Sequence, residues 1–333
     1  MKQLLLQYSI RLQVLLLVAF CTLFCWVLIS VVFVSMHPLE ENYWMAGPDD
    51  DFARLWQSVK EIHATDDASR PQVVLVGSSA LRESIVTPEY LEQQNALVDW
   101  HLLTPGDLLT VEALQVVSSL PKDMSGVLFV EVSMRTLSTS LSVTKRVVAR
   151  PRFPEQPLTF QAALWREGLP VGSGLGVISF YAARLQLSDP LQVPINDWLF
   201  HQVDYMDTSH VNWEHLEQKH FESLQNIEEN VSVNLRLYQR ILHLAPPKMK
   251  VVWISSPRNR EWESTLNAGQ HPDVYVNALS QLEEWSSHPV VVLDSDLRRQ
   301  DYLDHGHIVT AIGRRTSTDR LLQSVEELSG GLR

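Results

Sequence analysis

Cysteine is nearly absent. The 333 residues contain only Cys21 and Cys25. Both fall inside one apolar stretch near the start, so the rest of the chain has no disulfide. A domain of this length can stabilise itself by burial, and an oxidising compartment permits disulfides without demanding them. A basic patch is also missing. Lys and Arg number 27 against 39 Asp and Glu, a net charge of -12. Nucleic-acid binding uses Lys and Arg to neutralise phosphates, so no nucleic-acid partner is expected. There is no internal repeat and no low-complexity tract. Asp304, His305 and His307 fall short of a set with clear zinc-ligand spacing. No metal and no cofactor is expected.

What the chain does have, first of all, is a long apolar run. Residues 12–36 carry no charge and are rich in Leu, Val and Phe. About 20 such residues span a bilayer. Lys2 and Arg11 precede the run, and Glu40, Glu41 and Asp49 to Asp51 follow it. The positive flank stays in the cytoplasm. The pattern predicts a cytoplasmic tail at 1–11, a transmembrane helix at 12–36 and an extracytoplasmic bulk. That makes a single-pass protein of a bacterial inner membrane, facing the periplasm or the cell exterior. A cleaved signal peptide is the rival reading. The run is too long for a typical signal core, and no small-x-small cleavage site follows it. Cys21 and Cys25 lie four apart on one helix face and could pack, be lipidated or simply fill the membrane.

Residues 37–70 read as a stem that begins with Pro38, Gly47, Pro48 and an acidic cluster. Phe52, Leu55, Trp56 and Val59 then follow helical spacing over residues 51–63. Residues 71–330 read as one α/β domain. Gln72-Val73-Val74-Leu75-Val76 is a near-continuous apolar run, as expected of a parallel strand covered on both faces. Thr87-Pro88 opens a helix with proline at its first position. Further strands are expected near residues 97–103, 126–133, 249–256 and 288–295, with helical stretches between them. This alternation predicts a flavodoxin-like three-layer sandwich with a mostly parallel five-stranded sheet. Residues 136–215 break the rhythm with six prolines and Gly172-Ser173-Gly174-Leu175-Gly176. They read as a helical insertion that either roofs the ligand crevice or merely packs on the sheet. Residues 213–244 read as a long helix.

Two motifs carry chemistry. In the first, the strand Val73 to Val76 runs through Gly77 into Ser78-Ser79 and a helix. In the second, Asp304 lies three residues before His307, just ahead of the C-terminal helix. A serine is a poor nucleophile until a histidine takes its proton, and the histidine works best when a carboxylate fixes its tautomer. Ser79, Gly106 and Ser133 all follow strands, which places them on the carboxyl rim, where ligands bind in such sheets.

In these motifs and their order the chain resembles the SGNH hydrolase superfamily, also called the GDSL family, over roughly residues 70–330. Where that family has Gly-Asp-Ser, this chain has Gly77-Ser78-Ser79, which puts Ser79 in the nucleophile's place. Gly106 matches the second-block glycine, whose N–H helps to bind the oxyanion together with that of Ser79. Asp304 and His307 match the Asp-x-x-His block, and Gly313 matches a glycine that follows the histidine. The third block departs. Gly-x-Asn-Asp is replaced by Val130-Glu131-Val132-Ser133, with no asparagine. Ser133, Arg135 or Asn259 could supply the missing oxyanion donor, whose loss costs about 100- to 1000-fold in rate. The membrane-anchored branch of the superfamily is similar in layout. It includes O-acetylation proteins of exported polysaccharides such as alginate and the D-alanyl transfer protein of teichoic acids.

The resemblance implies a serine esterase or O-acyltransferase with the triad Ser79, His307 and Asp304, acting on a cell-envelope or exported polysaccharide. Its partners would be an acylated polysaccharide or acyl donor, together with a membrane-bound O-acyltransferase. The alternative is a catalytically silent SGNH-like module that binds glycan or scaffolds an acyltransferase complex. Arg82 could meet a carboxylate of an anionic polymer, or else pair with Glu83 or Asp107. Trp253, Trp262 and Trp285 could stack on sugars or serve the core. His201, His210, His215 and His220 read as surface residues.

Overall fold

The computed structural model describes residues 13–25, 51–64, 70–149, 157–169, 212–266, 273–294 and 296–329. Its centre is a sheet of five parallel strands: β1 (Gln72–Val76), β2 (Asp99–Leu103), β3 (Ser125–Val132), β4 (Lys248–Ser255) and β5 (Val291–Val292). Their order is β2-β1-β3-β4-β5, the flavodoxin-like doubly wound order. Val76 pairs with Leu103 on one side and Val130 on the other. The apolar run that opens the domain is therefore an inner strand, buried along its whole length.

Strand side chains alternate between two layers. Val73, Leu75, Val127, Phe129, Val252 and Ile254 face helices α2 (Ser79–Glu83), α3 (Pro88–Gln94) and α11 (Ala311–Ser329). Val74, Val76, Leu128, Val130, Val251 and Trp253 face the other layer. That layer is built on α1 (Asp51–Ala64), α4 (Thr110–Ser119), α8 (Trp213–Leu244) and α10 (Asp273–Ser286). Burying each such side chain contributes about 1.5–3 kcal/mol, so one sheet with two apolar faces needs both layers.

Helix α1 was expected within a stem. Its apolar stripe of Leu55, Trp56, Val59 and Ile62 is instead buried in the main core, so residues 51–64 form part of the domain's layer. His63 Nε2 also lies 2.7 Å from the carbonyl of Ser119 at the end of α4.

Between β3 and α8 run α5 (Met134–Ser138), α6 (Leu141–Ala149) and α7 (Leu158–Arg166). Val148, Phe160, Ala163 and Leu164 join the same core, so these parts of the expected insertion pack as an extension of the layer. The remainder of that insertion, residues 150–156 and 170–211, lies outside the described residues. Strand β5 is shorter than its apolar sequence suggests. Pro289 has no N–H to give, and the N–H of Val290 donates to Glu283 Oε1 at 2.7 Å instead of to a strand.

Residues 13–25 are helical and exposed. Among the described residues no helix is long and apolar enough to cross a membrane. Residue 12 and residues 26–36 of the expected span lie outside the described residues.

Candidate active site

All strands run the same way, so every strand-to-helix loop from a carboxyl end opens on one rim. After β1 the chain turns through Gly77 and Ser78, and Ser79 begins the short helix α2. Ser78 is extended, with φ -94° and ψ -176°. Gly77 is required by close approach. A Cβ there would sit 2.7 Å from Glu131 Oε2 and 2.7 Å from Leu81 Cδ2.

The second motif sits at the tip of a small loop. Tyr302 and Ile308 form an antiparallel bridge at its base, and the Leu303 N–H donates to the His307 carbonyl at 2.8 Å. Asp304 Oδ1 accepts from the backbone N–H groups of Gly306 at 2.8 Å and His307 at 2.9 Å. Its other oxygen, Oδ2, lies 2.8 Å from His307 Nδ1. A carboxylate only accepts, so Nδ1 carries the proton and Nε2 is left to accept. Ser79 Oγ lies 3.0 Å from that Nε2. Two side chains 228 residues apart thus meet in the geometry that a nucleophile and its base require, with the imidazole oriented by a carboxylate.

Burial alone would drive Asp304 toward its neutral form. The hydrogen bond and charge of His307, the charge of His305 and the Gly306 N–H outweigh it and hold the carboxyl well below its usual range. Burial likewise works against a charged His307. The hydrogen bond and charge of Asp304 outweigh it, with help from Glu83 and Glu131, so the imidazole titrates above its ordinary value.

Gly106 lies in the half-buried loop after β2, where it is followed by Asp107 in the left-handed region at φ 55°. Asp107 pairs with Arg135 at 2.8 Å, across to the loop after β3. Like Arg135, the other three residues weighed for roles at the rim have local partners. Ser133 caps α5. Its Oγ accepts from the Thr136 N–H at 3.0 Å, and its N–H donates to Thr136 Oγ1 at 2.9 Å. Asn259 is fully buried, and Oδ1 accepts from the Trp262 N–H at 3.1 Å as the cap of α9 (Arg260–Thr265). Nδ2 of Asn259 donates to the Asp304 carbonyl at 3.2 Å, and its backbone N–H donates to the His305 carbonyl at 2.8 Å. Arg82 is only 7% exposed. It donates to the Thr104 carbonyl at 3.2 Å and pairs with Glu83 at 3.6 Å, so it joins the first loop to the second from below.

The tryptophans serve the interior. Trp253 is fully buried, and its indole N–H donates to the Leu282 carbonyl at 2.7 Å. Trp262 is buried against Trp213, His220 and His305, and Trp285 packs on the main core. His220, expected at the surface, is buried too. Burial, then the charges of His305 and Arg258, lower its pKa to about 4. His201 and His210 lie outside the described residues.

Glu131 was overlooked in the sequence. It lies on β3, is 4% exposed and reaches under the Ser78 turn. A charged residue inside the run Val127 to Val132 was the available signal, since a buried charge demands partners.

No family model matches the chain, and no curated protein matches it. A crystal structure of a protein from Lactobacillus plantarum is similar at 10% identity, over 78% of this chain and 97% of that one, with a TM-score of 0.35.

Proposed function

We propose that the protein is a membrane-anchored, extracytoplasmic serine esterase or O-acyltransferase of SGNH type, acting on an acylated polysaccharide of the cell envelope or an exported one. The observation that carries this reading is the linear relay from Ser79 Oγ to His307 Nε2 at 3.0 Å and from His307 Nδ1 to Asp304 at 2.8 Å. Its place on the carboxyl rim of a 2-1-3-4-5 parallel sheet supports it. The apolar run at residues 12–36 and its flanking charges support the anchor and the side of the membrane.

His307 Nε2 takes the proton of Ser79 as Oγ attacks the carbonyl carbon of an ester or thioester. The backbone N–H groups of Ser79 and Gly106 hold the oxyanion that forms. Asp304 keeps Nε2 aimed at Ser79 and stabilises the imidazolium. The intermediate collapses, His307 returns the proton to the leaving oxygen or sulfur, and Ser79 is left acylated. Water or a sugar hydroxyl then gives its proton to His307 and attacks the acyl carbon, which restores Ser79. Hydrolysis or transfer depends on which acceptor the rim positions and how far it excludes water. A membrane-bound O-acyltransferase is the proposed source of the acyl group.

Hydrolysis of p-nitrophenyl acetate tests the reading. The purified protein is expected to turn the ester over, and Ser79→Ala and His307→Ala are expected to lose about 1000-fold or more. Activity that survives both substitutions rejects the assignment. A second reading, a silent module that binds glycan or scaffolds an acyltransferase complex, is favoured by one observation. The side chains of Ser133 and Asn259 are both engaged locally, so neither replaces the third-block donor.

A further inference from the structure

Beneath the Ser78 turn lies a side chain that the relay does not use. Glu131 belongs to β3, whose Val130 pairs directly with Val76 at the end of β1. Its carboxylate accepts twice from a single residue. The Ser78 backbone N–H donates to Oε2, and Ser78 Oγ donates to Oε1 at 3.1 Å. The glutamate's own backbone is held in turn, because the buried Tyr238 hydroxyl donates to the Glu131 carbonyl at 3.0 Å. Gly77 leaves room for the carboxylate, since any Cβ there would lie 2.7 Å from Oε2.

These contacts distinguish the two adjacent serines. Ser78 points inward and is held at both its N–H and its hydroxyl, while Ser79 faces His307. A hydroxyl bound to a buried carboxylate cannot rotate out to serve as nucleophile without leaving that charge short of a donor. The peptide that follows Ser78 carries the Ser79 N–H, so fixing Ser78 also fixes the direction of that donor.

We propose that Glu131 is the positioning residue of the nucleophile turn: through Ser78 it presets both the Ser79 hydroxyl and the Ser79 N–H. This rests on the reading of Ser79 as the nucleophile. The charges that act on the His307 imidazole are those of Asp304 and His305 from its own loop, Glu83 from α2 and Glu131 from β3. Removing the charge of Glu131 therefore lowers the His307 pKa and changes no atom of the relay.

The test is Glu131→Gln in the full chain, read in three ways. Ester turnover is expected to lose roughly 10- to 100-fold in kcat with KM little changed, as for a misplaced reacting group. The His307 imidazole, followed by NMR with histidine labelling and assigned with His307→Gln, is expected to titrate lower, since Glu131 is one of the charges that raise it. The Ser78 amide proton, shifted downfield by its bond to a carboxylate, is expected to move upfield. A folded variant with an unchanged Ser78 amide shift, or with parental kcat, overturns the proposal. Should the parent protein turn over no ester, the nucleophile reading fails, while the amide signal still decides whether Glu131 holds the turn. Should Glu131→Gln fail to fold, Ser78→Ala decides. It is expected to lose roughly 3- to 10-fold in kcat while remaining folded, with a modestly lowered thermal midpoint because Glu131 loses one donor, and a folded variant with parental kcat overturns the proposal.

Discussion

The side-chain amide of Asn259 donates to the main-chain carbonyl of Asp304 at 3.2 Å, while the backbone N–H of Asn259 donates to the carbonyl of His305 at 2.8 Å. One buried residue after β4 thus grips the loop that carries His307 and Asp304. The same side chain caps α9 through Trp262. Asn259→Ala is expected to remove a helix cap and leave the Asp304 carbonyl short of a donor. Together these cost on the order of 1–3 kcal/mol, to be measured by urea unfolding. Ester turnover should fall as well, because the loop is no longer held against the Ser79 turn.

The His307–Asp304 pair sets a pH dependence. His307 must be neutral to accept the Ser79 proton, and its pKa is raised, so kcat/KM is expected to climb with pH through a limb above the ordinary imidazole value of about 6.5. In Asp304→Asn the main causes of the upward shift are gone. The limb should move to lower pH, while the rate falls by about 1000- to 10000-fold because the tautomer is no longer fixed. A limb that stays in place in the variant argues against this pairing.

Gly313 predicts an effect on stability. It lies in the first turn of α11, against the His307 loop, and a Cβ there would lie 2.8 Å from Thr310 Oγ1 and 2.9 Å from Ile308 Cγ2. Thr310 Oγ1 is already committed, donating to Asp301 Oδ1 at 2.6 Å and accepting from the Gly313 N–H at 3.0 Å. Gly313→Ala is expected to destabilise by about 1–3 kcal/mol in thermal or urea unfolding. No change in the midpoint would mean that the loop gives way more easily than its hydrogen bonds suggest.

Much of this was legible from the residues. The apolar runs marked the strands, because parallel strands buried on both faces show apolar continuity in sequence. The long helix Trp213–Leu244 followed from its spacing. The serine and the Asp-x-x-His pair could be picked out by residue type, and the fold brings Ser79, His307 and Asp304 together. What stayed hidden depends on contacts between distant loops. Asn259 looked like a donor for the rim, and only the path of the chain after β4 turns it toward Asp304. For Arg82 the residues offered a pairing with Glu83, which the structure has, but its bond to the Thr104 carbonyl beneath the turn depends on the second loop. Helix α1 looked like part of a stem because its apolar stripe named no partner, and the sheet supplies one. The short β5 reflects a competition, between a strand bond and Glu283, that no local pattern reveals.

The central claim concerns one oxygen atom, and covalent labelling addresses it most directly. The protein is exposed to a fluorophosphonate and the modified peptide is mapped by mass spectrometry. A single adduct on Ser79 is predicted, retained in Ser78→Ala and abolished in His307→Ala. An adduct on Ser78, or labelling of Ser79 that persists without His307, would contradict the account.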